Sequence, residues 1–428
     1  MTGTAHLGEA AWLKHSEVAR LLALLDRDGE EARVVGGAVR NALLGLAVDE
    51  IDVATTAVPD EVIRRVAGAG WKSVPTGIEH GTVTIVIDGK PFEVTTLRQD
   101  VETYGRKAKV VFGRDWSADA ARRDFTINAL SAAADGTVYD YVAGLADIAA
   151  RRVRFIGDPA KRIAEDYLRI LRFFRFHAWY GEGGHPDSAG LHAAIVARAG
   201  LETLSRERVR MELLKLLLAP HATPALAVMA ESGLLVAVLG GVSLLASFEN
   251  MTKVEAAIGA APDAVRRLGA LAVFLKEDAG RLADRLRLSN VEATRLAVLD
   301  GWWRVSPAAG SQAAHALLYE LGAQAFADRV LVAWSRSAAG AADPKWRELA
   351  SLPAHWHVPA FPLRSADFTN RGIAAGPALG VAMRTAEQAW IAADFPTDPT
   401  VIEAIAEMAA REVAAASGMP EDKFSRAQ

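Results

Sequence analysis

ARVVGGAVRNALLGLAVDEIDVAT, residues 32–55, holds the reading on which the fold turns. Ala32 to Gly37 is apolar and ends in two glycines, the pattern of a buried strand running into a tight turn. Ala38 to Leu46 then has a helical period, and Ile51 to Thr55 reads as a second strand. Paired glycines between strand and helix let the backbone approach an anion, and the helix start offers free N–H groups to phosphates. Arg40, one turn into that helix, is placed to reach the same phosphates. Glu50 and Asp52 are two apart on the predicted strand, so both point to one side. Two carboxylates side by side repel, and magnesium is their natural partner because it takes oxygen ligands and bridges to substrate phosphates. Two such ions on one carboxylate set activate an attacking hydroxyl and stabilise a leaving pyrophosphate. Taken alone, Gly36-Gly37 more often marks a plain helix start, and Glu50/Asp52 is equally an acidic edge strand.

Outward from this stretch, Pro59 opens a further helix. Thr82 to Ile87 and Phe92 to Leu97 alternate around Asp88-Gly89, which predicts a hairpin. Glu93 lies between Phe92 and Val94, so alternation turns it away from them. If its strand neighbours that of Asp52, the three acids converge. From Gln99 to Trp116 the apolar period fades, and a long loop is expected. Beyond residue 151 strand patterns nearly vanish. Pro159 to Tyr180 is helical in period, Ser205 to Leu218 is strongly amphipathic, and an Ala- and Leu-rich helical region runs to near Gly418. The fold class is therefore α+β: a head with a mixed sheet and helices, followed by an all-helical remainder. The divisions fall at 1–150, 151–220 and 221–428.

The chain has 428 residues, 51% of them hydrophobic, with no cysteine and a net charge of −4. Disulfides and thiolate metal sites are thereby excluded. No basic start followed by an apolar run appears in Met1 to Glu17, so a cytoplasmic protein is expected. Ser232 to Phe248 lacks charge, but it is short for a membrane span and Gly240-Gly241 interrupts it. Two buried helices are expected there, and no membrane association. The negative balance hides a basic region: residues 101–220 carry 19 Lys and Arg against 15 Asp and Glu. Within 151–175 eight cations face three acids, in an apolar and aromatic context that suits a polyanion better than a merely solvated helix.

GGAVRNALLG…EIDVATTA, FEVTTLR, RRDFTINAL (Arg122 to Leu130) and EDYLRILRFFRF (Glu165 to Phe176), in that order, resemble the class II CCA-adding tRNA nucleotidyltransferase and poly(A) polymerase family. The resemblance covers about residues 31–220, and RRDFTINAL is its most specific element. It implies a small nucleotidyltransferase head followed by helical neck, body and tail, the last binding tRNA. It implies Mg2+ as cofactor, held by Glu50 and Asp52, with Glu93 as third catalytic acid. It assigns nucleotide binding to Gly36, Gly37, Arg40, Arg123, Asp124 and Asn128, with Asp124 on the ribose and Arg123 near the phosphates. The base-reading pair falls on Asp166 and Arg169, with Arg172 nearby. The implied partners are the tRNA 3′ end, CTP and ATP; oligomeric state is not readable. Two positions depart from the family pattern, which has Asp where this chain has Glu50 and Asn41.

Three apart on a helix, Asp166 and Arg169 project from one face. Ionised Asp only accepts hydrogen bonds and Arg only donates. Cytosine and adenine both offer an exocyclic amine beside a ring acceptor; uracil and guanine offer a carbonyl beside a ring N–H. One Asp and one Arg therefore admit C and A and reject the others. The adjacent helix adds Arg206, Arg210 and Lys215 as cations available to triphosphate or RNA. Full CCA addition is the expected activity. CC-only, A-only and poly(A) addition share the motifs, although residues 401–428 lack the basic tail of the poly(A) enzymes, with three Lys and Arg against five Asp and Glu. An inert RNA-binding protein would not need all these acids, and an enzyme modifying small molecules would not need the base-reading pair. No histidine precedes an Asp, so an appended phosphohydrolase is not expected.

Overall fold

The computed structural model describes residues 5–104 and 107–416. It divides into two compact units, residues 1–245 with 284–288, and residues 246–283 with 289–428.

The first unit opens with α1 (Ser16–Leu25), β1 (Ala32–Val35), α2 (Gly37–Leu43), β2 (Asp52–Thr55) and α3 (Pro59–Gly68). The strands β3 (Lys72–Gly77), β4 (Thr82–Ile87) and β5 (Lys90–Thr96) follow. With β8 (Ser131–Ala132) and β9 (Val138–Tyr139) they form a seven-stranded sheet in the order β3-β4-β5-β2-β1-β8-β9. Asp88 and Gly89 both have positive φ, 50° and 82°. This is the two-residue turn that matches strand twist, and it joins β4 to β5 as expected. Only β2 and β5 pair in parallel, and their register sets Asp52 directly beside Glu93. The alternating burial of β5 keeps Phe92 and Val94 inside and Glu93 out.

Two expectations need correction. The segment from Gln99 to Trp116 is not a long loop: β6 (Arg98–Tyr104) and β7 (Lys107–Phe112) pair as an antiparallel ribbon. Gly105 and Arg106 lie outside the described residues. Phe112 closes the base of the ribbon against Gly81, where a Cβ would stand 2.8 Å from its ring. Second, Pro159 to Tyr180 is two helices, α6 (Pro159–Glu165) and α7 (Leu168–Tyr180), separated at Asp166. Asp166 has φ −157° and ψ 106°, an extended residue between two helices.

The short helices α4 (Trp116–Ala121) and α5 (Gly144–Ala149) flank the RRDFTINAL stretch. The helices α8 (Ser188–Val196), α9 (Arg206–Leu217), α10 (Ala222–Glu231) and α11 (Leu234–Leu239) complete this unit. The uncharged run at Ser232 is α11 and the start of α12 (Leu245–Ile258), broken at Gly240 with φ 67°. Among the described residues no helix is long and apolar enough to cross a membrane.

Among its described residues the second unit has helices and no strands. It includes α13 (Ala264–Ala272), α14 (Lys276–Leu286) as far as residue 283, α15 (Asn290–Ala297), α16 (Gly310–Arg336), α17 (Pro344–His355), α18 (Ser365–Thr369), α19 (Pro377–Ala392) and α20 (Pro399–Ala416). One of its cores gathers Phe368, Trp390, Phe395 and the alanine face of α20. Another centre is ionic: buried Glu255 accepts from Arg266 at 2.7 Å and from Arg267 at 2.8 Å. The last residues of the expected helical stretch, 417 and 418, lie outside the described residues.

Candidate active site

The glycine turn after β1 forms as the sequence suggests. Gly36 has φ 69°, a left-handed conformation that favours glycine. A Cβ there would stand 3.4 Å from Arg123 Nη1, so the turn and the RRDFTINAL stretch touch at this point. Gly37 begins α2.

Asp52 starts β2, while Glu50 lies just before the strand rather than on it. Asp52, Glu50 and Glu93 line one cleft of roughly 610 Å³. Asp52 opens to this cleft, yet its carboxyl lies deep enough that burial raises it above the usual carboxylate range. The charges of Glu93 and Glu50 raise it further, and Arg123 opposes them. The acids thus converge electrostatically. Among the described residues, however, no three His, Asp or Glu side chains form a ready-made metal cage. Mutually repelling carboxylates in an open cleft fit a cation that keeps part of its water shell, as magnesium does, better than one enclosed by protein ligands.

RRDFTINAL is pinned from several sides. Thr126 Oγ1 donates to buried Asp147 at 2.6 Å, and Arg152 and Arg154 donate to the same carboxylate at 2.7 and 3.0 Å. Phe125 packs on Phe155 with ring centroids 4.8 Å apart, and on Phe176 of α7 at 5.2 Å. Buried Asp119 holds Arg122 at 2.6 Å and Arg123 at 3.3 Å. This stacking fixes Asp124, whose Oδ2 accepts from Arg172 Nε at 2.8 Å and Nη2 at 2.5 Å. Its Oδ1 accepts from the Phe125 N–H at 2.8 Å and Asn128 Nδ2 at 3.2 Å. Burial alone would raise the Asp124 carboxyl; the charge of Arg172 and these hydrogen bonds overcome it and hold the group low.

Arg40 lies beside the glycine turn, with its Nη2 3.6 Å from where a Cβ on Gly37 would stand. Its guanidinium is buried, donating to Asn128 Oδ1 at 2.5 Å, Asn41 Oδ1 at 2.8 Å and Tyr180 Oη at 2.7 Å. Burial lowers it from its ordinary value. In this arrangement it braces the head against α7. Asn41 accepts this bond and also donates to the Ala47 carbonyl at 2.9 Å, which an aspartate could not do.

Asp166 and Arg169 are not on one helix and their side chains take different partners, although the Arg169 N–H donates to the Asp166 carbonyl at 3.0 Å. Asp166 Oδ1 accepts from the Leu168 N–H at 3.1 Å, and Oδ2 from Arg208 at 2.5 Å. Arg169 pairs with Glu165 through Nη1, which also reaches the Arg162 carbonyl at 2.6 Å. Arg162 in turn donates to the carbonyls of Arg122 and Arg123, tying this corner to RRDFTINAL. The break between α6 and α7 is held by Tyr167, whose ring lies where a Cβ on Gly200 would sit, 2.1 Å away.

Sequence reasoning passed over Arg208, Arg162, Asp119, Asp147, Tyr180 and Glu212, which accepts from Arg175 Nε at 2.5 Å. Arg208 had the amphipathic helix as a pointer, but Arg206 and Arg210 were the expected cations. They instead bind the carbonyls of Asp284 and Arg287 at 3.0 and 2.8 Å. The Lys215 carbonyl accepts from Trp179 at 3.1 Å.

Comparison with known proteins bears on this geometry. Residues 32–154 match the Poly A polymerase head domain, and residues 191–244 the probable RNA and SrmB-binding site of polymerase A. The mitochondrial CCA tRNA nucleotidyltransferase 1 of Danio rerio is 41% identical over 276 residues, 64% of this chain and 63% of that relative. The CCA-adding enzyme of Limosilactobacillus fermentum is 34% identical over 399 residues, 91% of this chain and 96% of that relative. A crystal structure of the Bacillus stearothermophilus CCA-adding enzyme in complex with CTP superposes with a TM-score of 0.74 at 27% identity, covering 94% of this chain and 98% of that one. With its motifs in order, its head fold in place and a relative matched over nearly the whole length, the chain belongs to the CCA-adding tRNA nucleotidyltransferase and poly(A) polymerase family.

Proposed function

We propose that this protein adds C, C and A to the 3′ end of tRNA, using CTP and ATP and releasing pyrophosphate at each step. One observation carries the reading: Asp124 of the head motif is held by two N–H groups of Arg172, on the helix that also presents Arg169. That ion pair joins the part of the molecule that holds carboxylates to the part suited to reading a base. The relatives named CCA-adding enzyme support it.

In the proposed reaction the terminal 3′ oxygen of RNA bonds to the α-phosphorus of the incoming nucleotide. The bond from that phosphorus to pyrophosphate breaks, and the hydroxyl proton passes to solvent. Glu50 and Asp52, with Glu93 beside them, would hold magnesium, which when bound would supply charge neutralisation between hydroxyl and phosphate. Gly36 and Gly37 offer backbone to the phosphates, and Arg123 supplies positive charge close to the carboxylates. Asp124 takes the ribose, with Asn128 fixing its orientation and Arg172 its ionisation. Arg40 braces Asn128 and, beside Gly37, adds positive charge on the phosphate side.

For the base, Arg208 and the Leu168 N–H fix the Asp166 carboxylate while leaving lone pairs to accept an exocyclic amine. Arg169 is anchored through Nη1, and its remaining N–H groups can donate to N3 of cytosine or N1 of adenine. Uracil and guanine would leave these groups unpaired at roughly 1–3 kcal/mol each. The functional division proposed is a head at 1–150, a base-reading neck at 151–220, and a body and tail at 221–428 that bind tRNA. The cytoplasm is the proposed compartment.

The test supplies magnesium and each labelled triphosphate, singly and in pairs, to tRNA ending before CCA, tRNA ending in CC, and an unstructured RNA. Two C additions and then one A, on tRNA alone, are expected. C alone or A alone would assign a sister specificity, and long A tracts on the unstructured RNA would assign poly(A) synthesis.

A further inference from the structure

Arg40 is 7% exposed, and among the described residues every side chain that accepts from its guanidinium is neutral. Asn41 Oδ1 takes Nε at 3.1 Å and Nη2 at 2.8 Å, Asn128 Oδ1 takes Nη1 at 2.5 Å, and Tyr180 Oη takes Nη2 at 2.7 Å. A buried charge is ordinarily matched by an opposite one. Here burial pulls the guanidinium down from its ordinary value, and the charges of Arg175 and Arg172 push the same way. Tyr180 and Asp124 oppose them, but the Asp124 carboxylate is itself paired with Arg172. The fold therefore hydrogen-bonds this cation without neutralising it, beside the glycine turn.

Asn41 stands between that cation and the loop leading to the carboxylates. Its Nδ2 donates to the Ala47 carbonyl at 2.9 Å, and its own carbonyl accepts from the Leu46 N–H at 2.8 Å. Three residues beyond Ala47 lies Glu50. Only one orientation of the amide serves both sides, because the reverse would set N–H against the Arg40 donors and oxygen against the Ala47 carbonyl. An aspartate has the same shape and would do neither job. One of its oxygens would oppose the Ala47 carbonyl, and its charge would pair with Arg40.

We propose that Asn41 is a positioning residue acting through Arg40: its neutral amide keeps the guanidinium's charge unmatched, so that the polyphosphate of the incoming nucleotide is what neutralises it. The inference rests on the nucleotidyltransferase reading. The effect acts through the field across the glycine turn, and an unmatched cation in a site shielded from water attracts an anion more strongly than one already paired. Affinity set in this way grows with the number of phosphate charges and is indifferent to the base.

The experiment measures, without RNA and with magnesium present, the Kd of CMP, CDP, CTP and ATP for the full-length protein, its Asn41→Asp variant and its Asn41→Ala variant. Asn41→Asp should weaken CTP and ATP alike by about tenfold, CDP by less, and CMP by no more than about twofold. Asn41→Ala loosens the loop but adds no charge, so its loss should be the same for CMP, CDP and CTP. Damage that is merely structural would weaken all ligands equally in both variants. An ungraded loss or no loss in Asn41→Asp, or a different loss for CTP and ATP, would overturn the proposal. If Asn41→Asp does not fold, a loss in Asn41→Ala that grows with phosphate charge overturns it alone. A wild-type protein that extends no RNA would instead remove the nucleotidyltransferase reading beneath it.

Discussion

At the scale of single residues, the site depends on charges placed against their own preference. Asp52 is pushed up by burial and by two neighbouring acids. Asp52→Ala is expected to lower incorporation at least a thousandfold, about 4 kcal/mol in the barrier, while tRNA binding by gel shift stays within about twofold; near-normal turnover would remove its role. Asp166→Ala should raise incorporation of U and G relative to C about tenfold or more, measured with single triphosphates, with little change in melting temperature. Both acids were visible in the sequence, and so was Glu93, since strand alternation alone says which way it faces. The inward turn of Arg40 was not. Its partners Asn128 and Tyr180 lie 88 and 140 residues away, and no local spacing encodes them.

Among the elements, the break between α6 and α7 matters most. The continuous apolar period of 159–180 hides it, because the cause is a distant packing contact, Tyr167 on Gly200. The result is that Asp166 is extended and free to be held by Arg208, where a helical residue would have pointed along the helix surface. The β6–β7 ribbon was hidden for another reason. Its residues lack a strict apolar alternation, so its pairing is legible only once Gly81 and Phe112 are seen together. On α7, His177 is buried, and its Nε2–H donates to the Gly184 carbonyl at 2.7 Å. Burial lowers its pKa from the ordinary 6.5, with His221 and His185 adding repulsion against the Gly184 carbonyl's opposing pull. The folded pKa is below the unfolded one, so this contribution to stability is complete above about pH 6.5 and is lost as pH falls through the folded value. The melting temperature should therefore drop from pH 7 to pH 5, and His177→Asn should flatten that slope. An equal slope in the variant would assign the acid sensitivity elsewhere.

For the whole molecule, the sequence reading was right about an α+β head and a helical remainder, because the change from alternating to helical period is long and clear. It offered nothing specific for the second unit, whose buried ionic centre also ties Arg266 to Asp328, 62 residues away in the chain. Glu255→Gln would leave Arg266 and Arg267 buried against a neutral side chain, at a cost of about 3–5 kcal/mol. Thermal unfolding should show that loss, while C-over-U selectivity of the folded fraction should not move. A change in selectivity would mean that the ionic centre acts on the active site. Net charge is similarly uninformative taken as one number. The protein is negative overall, yet the arginines of 151–175 are drawn into the site by buried acids such as Asp147, Asp124 and Glu212.

The central claim, that one fixed set of side chains admits C and A and ends the product at CCA, is tested most directly by sequencing. Given tRNA lacking CCA and all four triphosphates at equal concentration, the 3′ ends should read CCA and stop there. Ends containing U or G, A tracts of open length, or no extension at all would contradict it.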